Sequence, residues 1–162
     1  SGMPHSGGAV IDDMPKGCSI QEIQRMFTSV GFASPPNWLR PYSVLSNGEK
    51  MRCDLAYALL DGKDIVVYDE FTSVVNRQVA KAASYAISKC VRRNGKKFVA
   101  VACHDDIIEW LQPDWIYNTD TRNFFGMGAA FSNAPQSKLM FTKLGEQMRN
   151  GRLGRYLESI TI

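Results

Sequence analysis

The chain has 162 residues, 44% hydrophobic and 22% charged, with a formal net charge of +3. That is enough for one domain with a real core, and the charge is too mild to name a partner. No apolar run approaches the roughly 20 residues that span a bilayer and no leader pattern opens the chain, so membrane insertion is not expected and the expected compartment is the cytoplasm.

Four cysteines occur, Cys18, Cys53, Cys90 and Cys103, with no CxxC pair and no histidine at zinc-ligand spacing. They read as reduced, mostly buried thiols rather than a metal site. Ser1-Gly2-Met3 reads as a cloning remnant, and residues 4–18, rich in Gly, Pro and small polar types, are expected to be loose. "SIQEIQRMFTSVG" (19–31) carries Ile20, Ile23, Met26, Phe27 and Val30 at helical spacing, with Ser19 and Glu22 as a capping box and Gly31 as a stop. "FASPPNWLRPY" (32–42) holds three prolines and is expected to be irregular. A helix over about 47–60 follows, opened by Ser46 and Glu49 as a second capping box and closed before Gly62.

"DIVVYDE" (64–70) reads as a buried strand of a parallel sheet. "RQVAKAASYAISKCVRRN" (77–94) is a helix with Val79, Ala83, Ala86, Ile87 and Cys90 on one face. "KKFVAVAC" (96–103) is a second strand, "DDIIEWL" (105–111) a short helix and "DWIYNT" (114–119) a third strand. That alternation implies βαβ units, hence an α/β fold with a parallel sheet flanked by helices. Beyond residue 121, "FFGMGAAFSNAPQS" is turn-like, and "KLMFTKLGEQMRNGRLGRYLESI" reads as one or two amphipathic helices in a C-terminal extension over 122–162.

Ligands of parallel α/β sheets sit beyond the C-terminal ends of the strands. Two of these strands end in chemistry: Asp69-Glu70 after the first, His104-Asp105 after the second. Adjacent carboxylates are poor packing groups, but one could hold a hard cation such as Mg²⁺ and the other orient or deprotonate a water. The plainer alternative is a strand end turned to solvent. The basic runs "KCVRRNGKK" (89–97) and "RNGRLGR" (149–155) could touch nucleic acid phosphates, or simply solvate helix ends and complement their dipoles. Trp38, Trp110 and Trp115 could stack bases but are expected to pack in the core.

Together, "LSNGE" (45–49), "IVVYDE" (65–70), "SVVN" (73–76) and the isolated His104 resemble, in order, motifs of the ATP-binding-cassette (ABC) ATPase family. The resemblance runs over roughly residues 20–121. "LSNGE" is similar to the signature LSGGQ, with Asn47 for the first Gly and Glu49 for the Gln. "IVVYDE" resembles the Walker B strand, "SVVN" the D-loop, with Asn76 where Asp is usual, and His104 the switch histidine. The resemblance implies a P-loop NTPase-like sheet, ATP and Mg²⁺ as ligands, and a head-to-tail dimer of ABC protomers that sandwiches ATP. Ser46, Asn47, Gly48 and Glu49 would lie at the nucleotide, with the γ-phosphate held by Ser46 and by the backbone N–H groups of Asn47 and Gly48. Asp69 would hold the metal and Glu70 would be the general base. His104 would sense the γ-phosphate, and Ser73 and Asn76 would couple the protomers. Phe71, after the acidic pair where transporters commonly have Pro, points to a non-transporter member.

The Walker A run GxxxxGK[ST], which cradles phosphates, does not occur in these 162 residues. The chain is therefore expected to represent the C-terminal portion of the nucleotide-binding domain, inactive alone. The strand missing with Walker A is expected to leave a neighbouring strand edge and apolar surface open to self-association. The competing function is a non-catalytic interaction or nucleic-acid-binding module derived from such an ATPase. An α/β-hydrolase-like enzyme is disfavoured because no nucleophile elbow occurs.

Overall fold

The structure, a computed structural model, describes residues 3–126 and the backbone of residues 139–143. The expected turn over 127–137, the amphipathic helices beyond 143 and the basic run 149–155 lie outside the described residues.

The first helix, α1 (Ile20–Ser29), starts at Ser19, whose hydroxyl accepts from the Glu22 N–H while the Glu22 carboxylate takes the Ser19 N–H at 2.7 Å. Ile23 and Phe27 are its buried face. The proline-rich segment is less irregular than expected. Proline lacks an N–H to lose at a helix start, so α2 (Pro35–Trp38) forms one turn with Pro in its first positions, and a 3₁₀ turn follows over Tyr42–Val44. Trp38 packs, as expected: it is buried against Phe27 and donates its indole N–H to the Phe32 carbonyl at 2.7 Å.

Helix α3 (Asn47–Leu60), strand β1 (Ile65–Tyr68), helix α4 (Arg77–Asn94), strand β2 (Lys97–Ala102), helix α5 (Ile107–Leu111) and strand β3 (Trp115–Asn118) follow in the expected order. Helix α4 is capped at both ends, by the Asn76 side chain and by left-handed Gly95 (φ +62°). One face of the sheet, with Val66, Phe98, Ala100 and Ala102, joins the core built on α1, α3, α4 and α5. Strand β1 is not buried throughout: Ile65 and Val67 are 46% and 41% exposed, on the face opposite buried Val66 of this edge strand.

Two further strands correct the expectations beyond residue 121. Strand β4 (Asn123–Gly126) returns antiparallel along β3, and strand β5 (Leu139–Lys143), expected to be helical, lies in the middle of the sheet. The order is β1-β2-β5-β3-β4, with β5 parallel to both its neighbours. The space between β2 and β3 is thus filled by β5, and among the described strands the two sheet edges are β1 and β4.

Among the described residues the segment before α1 has no helix and no strand longer than a single bridge, in keeping with its Gly and Pro content, and part of it packs on the core. Met3, Val10 and Met14 are buried, and the Val10 N–H donates to the Arg40 carbonyl at 3.1 Å. Burying those side chains removes apolar area that an unattached segment would leave in water. All four thiols are free; Cys53 and Cys90 are buried, and burial pushes the Cys53 thiol up to about 12.

Because β5 is central and bonded on both sides, its backbone N–H groups should be indispensable. Thr142→Pro is expected to destabilise the chain by about 3 kcal/mol or more in urea titration; an unchanged midpoint would contradict the placement of β5.

Candidate functional site

Parallel pairing puts Val67 opposite Val99 and Tyr68 opposite Ala100, so Asp69-Glu70 and Cys103-His104 leave the same end of the sheet. Lys143, the last residue of β5, pairs with both Ala102 and Asn118 and ends there too.

The turn after β1 is tightly specified. The Glu70 N–H donates to its neighbour Asp69 Oδ1 at 2.8 Å, and the Ser73 N–H to the Glu70 carbonyl at 2.9 Å. The Phe71 N–H reaches the Val101 carbonyl on β2 at 2.8 Å, and the Phe71 ring is fully buried against Phe98. Glu70 and Thr72 adopt left-handed backbone, φ +52° and +65°. Each non-glycine residue there costs roughly 1–3 kcal/mol, a cost borne because Phe71 is anchored between them. The result is an exposed Asp69-Glu70 pair on a rigid base.

An ion pair ties this turn to the next. Arg77, the first residue of α4, grips the Asp106 carboxylate with Nε, at 2.8 Å, and with Nη2. Its Nη1 lies 3.5 Å from both the carbonyl and the hydroxyl of Thr72, and its guanidinium rests on the Trp110 ring. Trp110 is therefore buried in packing, as expected, while Trp115 lies against Phe124 with ring centres 5.0 Å apart. The Arg77 contact holds the Asp106 carboxyl below its ordinary range. His104, two residues earlier, is half-buried, with Nδ1 at 3.4 Å from Cys103 Sγ. Sequence reading did not single out Arg77 or Asp106; separated by 29 positions, they show no pattern along the chain.

The third part is the start of α3. The Ser46 N–H and hydroxyl both donate to Glu49 Oε2 at 2.8 Å, and Asn37 donates to Glu49 Oε1 at 2.6 Å. The two bonds from Ser46 lower the Glu49 carboxyl from its ordinary 4.5, the backbone N–H contributing most. Glu49 thus acts as a cap in this chain. A Cβ on Gly48 would sit 2.9 Å from Val79 Cγ1 of α4, so only glycine lets the two helices approach this closely. Half-buried Arg52 lies one turn on, its Nε shielded from solvent without a hydrogen-bond partner among the described residues. Asn47 Nδ2 lies 3.5 Å from the Val74 carbonyl, which sets "LSNGE" beside "SVVN" within one chain. Of the two coupling candidates, Asn76 spends its side-chain oxygen capping the Val79 N–H at 2.9 Å, and the buried Ser73 hydroxyl has no partner among the described residues.

A helix N-terminus, an end that favours anions, has a guanidinium one turn on, and the acidic end of β1 has a histidine just beyond the end of β2. Among the described residues no three His, Cys, Asp or Glu side chains cluster to cage a metal. Asp69 and Glu70 fit Mg²⁺ in the manner usual for phosphate sites, in which one or two carboxylates share the ion with waters and ligand oxygens.

No family model matches the chain, and no curated protein matches it. Solved structures do. A bacterial Atm1-family ABC exporter with ATP bound aligns at TM-score 0.56 and 18% identity, over 68% of this chain and 21% of the exporter. The dimeric structure of MJ0796, a bacterial ABC transporter cassette, aligns at TM-score 0.50 and 16% identity, over 62% of this chain and 45% of the cassette. At these identities the likeness is one of fold: the chain carries part of the α/β fold of ABC nucleotide-binding cassettes and spans less than half of either neighbour. No helix among the described residues is long and apolar enough to cross a membrane.

Two outcomes test the start of α3. Gly48→Ala should destabilise the chain by about 1–3 kcal/mol through overpacking on Val79, and a cycle with Val79→Ala should show coupling of about 1 kcal/mol; additivity would mean the helices are not in close contact. Because the Glu49 carboxyl is lowered in the folded chain, its stabilisation is complete above 4.5 and is lost as pH falls through the lower folded value. Urea titrations of the parent and Glu49→Gln should therefore differ near neutral pH and converge in acid, and a pH-independent gap would contradict the capping role.

Proposed function

We propose that the chain supplies one half of a composite ATP-hydrolysing site, in a cassette that works as a head-to-tail pair. The observation that carries this reading is the placement of Asp69-Glu70 and Cys103-His104 at the same end of adjacent parallel strands, within a fold shared with ABC cassettes. The family resemblance of the motifs supplies the roles.

Ser46 and the N–H groups of Asn47 and Gly48 receive the γ-phosphate presented by a partner's phosphate loop. The helix N-terminus favours that anion, and Arg52 adds positive charge one turn away. Glu49 does not meet the phosphate; it holds Ser46 and releases the hydroxyl when a stronger acceptor arrives. Asp69 would hold Mg²⁺, which when bound would neutralise phosphate charge. Glu70, exposed on its strained turn, orients or deprotonates the attacking water. His104 reads the γ-phosphate, and the Arg77–Asp106 pair fixes the spacing between the Glu70 and His104 turns. Asn47 and the 73–76 segment, in contact within the chain, carry information between protomers.

The reading requires a phosphate loop that these residues do not contain. The purified chain is expected to release no phosphate from ATP. Turnover by the chain alone that is abolished in Glu70→Gln would overturn the division of labour proposed here.

A further inference from the structure

The basic run at the end of α4 separates into two sets once folded. Arg92 pairs with Asp114 at 3.3 Å and donates to the Gln112 carbonyl, so it ties α4 to the end of α5. Lys96 donates to the Lys63 carbonyl at 3.1 Å. Lys89 and Arg93 have no hydrogen bond or ion pair among the described residues, and both line a groove of about 350 Å³ between α4 and the end of α1.

The groove is built from one helical stripe. Tyr85, Lys89 and Arg93 recur every four residues, which sets neighbours about 6 Å apart along the axis on one face. Ala82 and Ala86 form a shallow floor and Ser29 the opposite wall. The Ser29 hydroxyl donates to the Arg25 carbonyl at 2.7 Å, which leaves its oxygen able to accept. Cys90 Sγ is held against Met26 Sδ at 3.6 Å, so the floor is fixed. Among the described residues no carboxylate lines the groove, and Tyr85 is 38% exposed, leaving ring surface uncovered. Helix α4 runs from the end of β1 back to the start of β2, so Lys89 and Arg93 lie toward the opposite end of the sheet from Glu70 and His104.

We propose that this groove binds a nucleotide unit, with the phosphate between Lys89 and Arg93, the base on Tyr85 and the sugar toward Ser29. Two cations one turn apart, with no ion-pair partner among the described residues, match a phosphate, and an adjacent tyrosine face matches a planar base of any identity. The volume suits one nucleotide rather than a duplex. The plain alternative, cations that only complement the α4 C-terminal dipole, needs neither Tyr85 nor the groove.

The unit can be free or part of a single strand, and calorimetric titration separates these sources. The probes are AMP, adenosine, inorganic phosphate and a short oligodeoxyadenylate. AMP is expected to bind more tightly than adenosine, and Lys89→Ala and Arg93→Ala each to weaken AMP about tenfold. Tyr85→Leu should weaken AMP about tenfold while leaving phosphate unchanged. An oligonucleotide that binds more tightly than AMP, with steep salt dependence, identifies a strand; equal or weaker binding identifies a free nucleotide. Absence of saturable binding by AMP and oligonucleotide alike, or binding unchanged in Lys89→Ala and Arg93→Ala, would overturn the proposal.

Discussion

The parallel pairing of β1 with β2 is the constraint on which the candidate site depends. It continues one step beyond the strand, where the Phe71 N–H meets the Val101 carbonyl at 2.8 Å. That bond and the buried Phe71 ring force the two left-handed residues on either side, so Asp69-Glu70 stands away from the core instead of continuing the strand. A slip of one residue between β1 and β2 would turn Phe71 outward and lose the core contact with Phe98. Arg77 then fastens this turn to the residues after β2 through Asp106, and Gly48 lets α3 close on Val79 beside it. Strand register, one aromatic anchor, one ion pair and one glycine account for the positions of most of the named residues.

Much of this was legible along the chain because the deciding interactions are local. The two capping boxes involve residues three apart, and both form as the pattern says. Helix α4 spans the 18 residues expected of it, between Asn76 and Gly95. Strands β1 to β3 follow from short apolar runs ending in polar residues. Strand β5 was not legible. "LMFTK" has neither alternation nor a β-branched majority, the glycines after it suggest interrupted helix, and its partners on β2 lie some 40 positions earlier. A fully flanked central strand needs no polar face, so period gives no signal. The burial of Val10 and Met14 was not legible for a related reason: they look isolated among glycines and prolines, and only the tertiary fold provides the surface that buries them.

The candidate residues divide in the same way. Those set by strand ends, Asp69, Glu70 and His104, stand where the pattern placed them, on adjacent turns. Glu49, expected at the nucleotide, and Asn76, expected to couple protomers, already have work within the chain as helix caps. The two roles of the α3 N-terminus are compatible. In the isolated chain Ser46 and Glu49 satisfy each other, and the same N–H groups form an anion site once a phosphate is brought to them. On the proposed reading such a site is half-built, and the other half arrives on a partner.

The central claim is that the α3 N-terminus receives a triphosphate from a partner, and association with a cassette that carries a GxxxxGK[ST] loop tests it most directly. Sedimentation of this chain with such a cassette, with and without Mg-ATP, should show a complex that forms only with nucleotide and is lost when Gly48 is replaced by Asp in an otherwise folded chain. A complex that forms equally well without ATP, or that survives Gly48→Asp, would contradict the account.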